Sequence, residues 1–312
     1  MVSANNRITG DNYPYFISND WAPPARAQRI TAMLEERMQT GVRLTPDDMK
    51  RIQLDQRDLE AQRLLPVLTS LIPETPRQQE ALRILTNWHG DMNADSAAAA
   101  IYAVWMRHLK EQLFTGALRG NWNRAFEQRY LNAVAENVPE ESLIMILKTP
   151  HSHWCGSQNT VPDCGNALRH ALNSSLSELE KMQGKQMSTW TWGAVHVMSF
   201  RHIPFSEVKL LDKIFGRKLP SGGSVATVNA ADANYKASIG YEQQLGATFR
   251  QIIQFDDYQF INSTGQSGHP LSSNYDDMML LYSRGQYIRF TSRKAPMHVL
   301  TLVSKDSKKE LK

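Results

Sequence analysis

The sequence predicts an α+β chain: a mostly helical region over residues 24–220 and a β-rich region over 221–312, after an opening strand-and-loop segment, 1–23. Three observations predict it. Apolar residues recur at three- and four-residue steps through most of the first two thirds, as one face of a helix requires. Those runs are bounded by helix starts and stops, among them Thr45-Pro46, Asp95-Ser96, Gly41 and Gly184. From Ser221 the runs shorten, and β-branched and aromatic residues gather between Gly and Asp turns.

The first helix is predicted over Pro24 to Met38, where Ala27, Ile30, Leu34 and Met38 form one apolar stripe and Gly41 ends the run. Thr45 offers a capping hydroxyl, Pro46 suits the first helical position, and Asp47 and Asp48 suit the positive end of the dipole. This start launches a second helix that continues through Met49 to Leu65. A third runs from Pro76 to Trp88. Asp95-Ser96 then caps the most helix-prone stretch, Ala97 to Leu118, whose aromatics Tyr102, Trp105 and Phe114 read as core. Asn121 to Asn137, Pro139 to Lys148 and Cys164 to Met182 are the remaining helices of this region.

Trp190-Thr191-Trp192-Gly193-Ala194-Val195-His196 breaks the helical pattern. A desolvated imidazole can serve as a general base, but a histidine between such aromatics is more often a packing residue, and His196 is read as structural. Beyond Ser221, strands are expected at Val225 to Ala230, Thr248 to Phe255, Tyr258 to Asn262 and Met297 to Val303, with a helix from Asn274 to Arg284. The Gly265-Gln266-Ser267-Gly268 run lacks the spacing and strand-to-helix setting of a nucleophile elbow, so Ser267 reads as part of a tight loop.

Composition excludes several classes of function. The charged fraction of 21% and apolar fraction of 41% are those of a globular protein, and the formal charge of +4 is small for 312 residues. Basic residues cluster only in the tail from Lys305 to Lys312, which mixes signs, so no nucleic-acid partner is expected. No window approaches twenty consecutive apolar residues, so no membrane span is expected. Cys155 and Cys164 are the only cysteines, separated by eight residues of a Gly- and Pro-containing loop. Their spacing favours a disulfide, which stabilises such a small ring by roughly 2–3 kcal/mol and points to a periplasmic or secreted protein. The rival is a zinc set of His151, His153, Cys155 and Cys164, whose spacing matches no recognised zinc pattern.

The candidate site lies in the opening segment. Asn5 and Asn6 end a short extended stretch, and Arg26 returns at the start of a helix. An Asn amide is a donor that stays neutral at every pH, which suits an oxyanion as it develops. Read by themselves, Asn5-Asn6 is an ordinary turn and Arg26 a solvated or carboxylate-paired side chain.

The run SANNRITGDNYPYFISNDWAPPARAQRI resembles the segment of the penicillin acylase family of N-terminal nucleophile hydrolases in which an AN(N) motif precedes a YP, a tryptophan and a paired arginine. The later blocks GGSVATVNAA, GATFRQIIQFDD, GQSGHPLSSNYDDMMLLYSRGQY and HVLTL resemble stretches of that family in the same order. The resemblance implies that Asn5 supplies the side-chain donor of an oxyanion hole and that Arg26 supports it, with Asn6 as the slipped-register alternative. It implies a fragment of an αββα hydrolase whose β-rich residues 221–312 complete the core. The nucleophilic serine, activated by its own α-amino group, would lie on upstream polypeptide, Ser3 being part of the matched SAN stretch. The partners implied are that missing N-terminal portion and a small acyl-amide substrate, such as a β-lactam side chain or an N-acyl homoserine lactone. Alone, the chain is expected to be inactive. No cofactor is expected of the chain; a calcium in full-length members would use mostly upstream carboxylates, and Asp20, the one nearby candidate, is given no metal role. The alternative is a non-catalytic helical protein-interaction module.

Overall fold

The structure, a computed structural model, describes residues 1–118, 138–156, 162–234, 240–290 and 300–301. The opening segment has no regular structure and leads into α1, Ala25–Gln39. The inward side of α1 is Ala25, Ala27 and Met33, so the expected stripe is rotated; its last member, Met38, is exposed. Next comes α2, Pro46–Gln53, closed into a capping box in which Thr45 and Asp48 satisfy each other's backbone N–H groups.

The single helix expected to run on to Leu65 is two helices. Asp55 to Asp58 turns extended and pairs with the stretch around Asp91: Asp58 N–H donates to Gly90 O at 2.8 Å and Met92 N–H to Gln56 O at 2.9 Å. Asp58 then restarts the chain as the N-cap of α3, Leu59–Thr69, its carboxylate accepting the N–H groups of Glu60 and Ala61. A short acid that bonds neighbouring backbone donors competes with helix continuation, which is why the break falls there.

Helices α4, Pro76–Thr86, and α5, Ala97–Leu118, follow as expected, with Ser96 Oγ accepting Ala99 N–H at 3.1 Å. After the undescribed 119–137, where the predicted helix Asn121 to Asn137 falls, come α6, Glu140–Lys148, and α7, Cys164–Gln183. The described part of α5 is apolar on nearly every side, and Ile101, Val104, Trp105 and Leu109 are fully enclosed. It packs along α7 at the centre of the bundle, and Trp105 Nε1–H donates to Leu168 O at 3.1 Å. Cys155 and Cys164 are joined in a disulfide at the start of α7, so neither sulfur is available to a zinc set.

The β-rich part forms two small sheets. One has the order β2-β1-β4-β3, built from β1 Val197–Phe200, β2 Arg217–Pro220, β3 Ala231–Asn234 and β4 Glu242–Gly246. The short helix α8, Lys209–Phe215, lies between β1 and β2 in the chain. The strand expected at Val225 to Ala230 is a series of turns instead. There Ser224 N–H donates to Thr227 Oγ1 and Ala226 N–H to Ser224 Oγ, so side chains take the donors a ladder would need.

The second sheet is antiparallel, β5-β6-β7, with β5 Phe249–Gln254, β6 Asp257–Asn262 and β7 Ile288–Phe290. The helix expected over Asn274 to Arg284 shortens to α9, Met279–Ser283. The strand expected at Met297 to Val303 lies almost wholly outside the described residues. Among the described residues, no helix is long and apolar enough to cross a membrane.

Candidate functional site

The opening segment folds back against the start of α1. Ala22 N–H donates to Asn5 O at 2.9 Å, and Asn5 adopts φ of +63°, the left-handed region that Asn tolerates better than most residues. The turn reading of this stretch therefore holds, and the same turn aims the amide. Arg26, in the first turn of α1, donates from Nη2 to Asn5 Oδ1 at 3.0 Å. A guanidinium has no acceptor, so the amide must present its oxygen to Arg26 and its NH2 group outward. Asn5 Nδ2 makes no hydrogen bond among the described residues, and Asn5 is exposed. Asn6 differs: its Oδ1 accepts Ala4 N–H at 3.1 Å and its Nδ2 donates to Arg7 O at 3.0 Å, so its amide is spent locally. Geometry thus joins Asn5 and Arg26, and leaves Asn6 in the turn.

Arg26 forms no ion pair among the described residues, whereas Arg29, one helical turn on, is clamped by both oxygens of Asp55 at 2.9 and 2.6 Å. Burial lowers the Arg26 pKa from its ordinary value, with the charge of Glu60 acting the other way. Its face of α1 borders a cavity of about 400 Å³ with apolar walls, including Trp21, Pro23 and Val225, and a charged floor of Glu60, Lys110 and Glu140. That lining contains no serine, threonine or cysteine among the described residues.

Sequence reading missed the floor. Glu60 is only 4% exposed. Glu140 lines the same cavity, and its carboxylate faces the Lys110 ammonium at 3.8 Å. Burial first, then the neighbouring Glu140, push the Glu60 carboxyl up to about 9. Asp58 is buried beside it and also raised, chiefly by desolvation, although two backbone N–H groups and Ser224 Oγ–H hold its carboxylate. The one available signal was Asp-x-Glu at a helix start, and the continuous helix expected there hid it.

The other residues singled out from the sequence lie elsewhere. His196 is fully buried and stacked on Trp192 at 4.5 Å between ring centroids, with Nδ1 2.7 Å from Tyr241 O. That contact makes Nδ1 the donor of a neutral ring, and burial pushes its pKa down to about 4. Ser267 Oγ accepts His269 N–H at 3.1 Å within its loop. Asp20 belongs to no group of three or more potential metal ligands among the described residues.

A family model described as penicillin amidase matches residues 1–298. The chain belongs to this family. It is 24% identical over 307 residues to an acyl-homoserine lactone acylase, QuiP, of Pseudomonas fluorescens Pf-5, covering 92% of this chain and 36% of that protein. It is 28% identical over 288 residues to a penicillin acylase 2 proenzyme of Pseudomonas sp. SE83, covering 89% and 34%. The chain thus spans about a third of the length of these relatives. Its fold resembles that of a thermostable penicillin G acylase from Alcaligenes faecalis, with a TM-score of 0.56 at 15% identity over 97% of this chain and 57% of that one.

Proposed function

We propose that the chain is the part of an acylase-like amidohydrolase that carries one oxyanion donor, Asn5, and its support, Arg26. The observation that carries this reading is the bond between them. By accepting from Arg26, the Asn5 oxygen fixes the amide so that its two N–H donors face away from the protein, where a tetrahedral oxyanion can be received. Acyl transfer also needs a nucleophile, which we assign to a complementary polypeptide of the kind the longer relatives possess. The substrate class is an acyl amide, such as an N-acyl homoserine lactone or a β-lactam side chain. The proposed compartment is the periplasm or the exterior, in keeping with the disulfide.

The complementary polypeptide would cover apolar surface that the β-rich part leaves open. On β5 Phe249 and Ile253 are 44% and 71% exposed, and Phe255, in the turn that follows, is 107% exposed. The alternative, a helical interaction module, would gain from Asn5 and Arg26 diverging, but they are bonded.

Assaying amide hydrolysis by the 312-residue chain alone, and again with the upstream polypeptide of a relative's precursor, tests the proposal. Turnover is expected only in the second case, with a serine-directed acylating reagent labelling the added polypeptide. In that assembly Asn5→Ala should lower kcat by about 10²–10³. Turnover by the chain alone, with the label attached to it, would overturn the assignment.

A further inference from the structure

Arg250 on β5 is 6% exposed, the one arginine buried among the described residues. Arginines closer to solvent, such as Arg29, Arg107 and Arg217, each meet an acid within 3.1 Å. Arg250 meets none among the described residues, although a guanidinium taken out of water is costly to leave without a counter-charge. Its partners are neutral: Nη1 donates to Tyr282 O at 3.3 Å, Nη2 donates to Asn229 Oδ1 at 2.8 Å, and the Tyr282 ring centroid lies 3.9 Å from the guanidinium carbon. Nε is buried and has no hydrogen-bond partner among the described residues. Arg250 lines a cavity of about 280 Å³ bounded by the α2–α3 junction, both sheets and α9. A second arginine, Arg284, lines it too, with the amides of Gln56 and Asn229, and the lining contains no Asp or Glu among the described residues. The acid bonded to this wall is Asp55, whose carbonyl accepts Asn229 N–H at 2.9 Å, and it gives both carboxylate oxygens to Arg29. At Gly222 a Cβ would strike the Gln56 amide and lie 2.7 Å from Met92 O, so glycine is what lets that amide line the cavity.

We propose that this cavity is a binding site for a small carboxylate, held by the buried Arg250 with the exposed Arg284 at its rim. One enclosed cation balances one negative charge, which favours a monoanion over inorganic phosphate, and a planar carboxylate matches the donor plane of a guanidinium. The space is several times the roughly 30 Å³ share of a water and just under the roughly 300–1,000 Å³ of pockets for drug-sized ligands, so it suits a short acyl chain. Separate parts of this one chain close around it, so the ligand is a free carboxylate rather than an acid side chain of another polypeptide. The lining shares no residue with that of the cavity beside Arg26, and the proposal does not depend on the acylase reading.

The test titrates the full chain, in a buffer free of carboxylates and phosphate, with sodium acetate and then sodium butyrate. ¹⁵N NMR follows Arg250 Nε–H, assigned by through-bond correlation to its backbone. A saturable shift of that signal is expected with either acid, together with a melting temperature that rises with its concentration. Arg250→Gln should abolish the rise in melting temperature, and Arg284→Gln, at an exposed position, should weaken binding about two- to five-fold. Circular dichroism checks that each variant is folded; should Arg250→Gln fail to fold, Arg284→Gln and the wild-type titration decide. No saturable shift with either acid, or an equal one with sodium chloride or inorganic phosphate, overturns the proposal. So does a signal that ignores both acids and moves only when the upstream polypeptide of a relative's precursor is added, because the carboxylate then belongs to that polypeptide.

Discussion

Trp105 and Ile253 are both large apolar residues, yet Trp105 is wholly enclosed between α5 and α7 while Ile253 is 71% exposed on β5. The contrast runs through the molecule. The bundle of α3 to α7 contains one continuous core, whereas the second sheet rests on a small cluster of Ile261, Met278 and Tyr282. On the outer face of that sheet the cross-strand partners Gln251 with Phe260, and Ile253 with Tyr258, present an apolar surface, with Phe290 beside Tyr258 66% exposed. A side chain enclosed by its own chain contributes to folding. One left on a sheet face is available to a neighbour.

The sharpest break of the comparison is in stability. Trp105→Ala should cost about 3–5 kcal/mol, through lost burial and a cavity, with the extra hydrogen bond to the Leu168 carbonyl lost as well. A loss under 1 kcal/mol in urea unfolding would mean that the bundle is not the stabilising unit.

At the junction of the two regions, His196 is neutral in the fold and titrates near 4, below its ordinary 6.5. As pH falls, the unfolded chain takes up that proton first. Stability should therefore decline between about pH 6.5 and 4, by on the order of 3 kcal/mol for this group. His196→Phe should flatten that part of an acid titration read by thermal melting.

Replacing both Cys155 and Cys164 by serine should cost roughly 2–3 kcal/mol, confined to the helical region. The smallest effect is expected on the sheet face. Ile253→Ser should change the stability of the chain by less than about 0.5 kcal/mol, yet weaken capture of the complementary polypeptide in a pull-down. A large loss of stability with undiminished capture would reverse the contrast drawn here.

Helices with strong local signals were legible in the sequence. Thr45-Pro46 and Ser96 start helices because a hydroxyl at the cap acts within three residues, and Gly41 and Gly184 follow the ends of α1 and α7 with positive φ. What escaped was non-local. The break before Asp58 depends on pairing with Gly90 and Met92, and β1 pairs in parallel with β4 across more than forty residues. Four-residue strands such as Arg217–Pro220 are too short for a period of two to stand out.

The site divided in the same way. Asn5 and Arg26 were legible through a family resemblance, and the structure joins them. Glu60 was not, because a glutamate in a run with many Gln, Arg and Asp reads as solvated, and only the fold brings Glu140 to the same cavity.

One carboxylate, that of Asp58, both begins α3 and accepts the hydroxyl of Ser224 at 2.7 Å, a contact spanning 166 positions. On a ribosome, the residues of α3 and its N-cap are thus made long before this distant partner. Until then the acid stands in water, fully charged and hydrated. Shedding that hydration must coincide with arrival of the late-made loop, so the C-terminal half is stitched to a nascent bundle by a step that local helix formation cannot hasten.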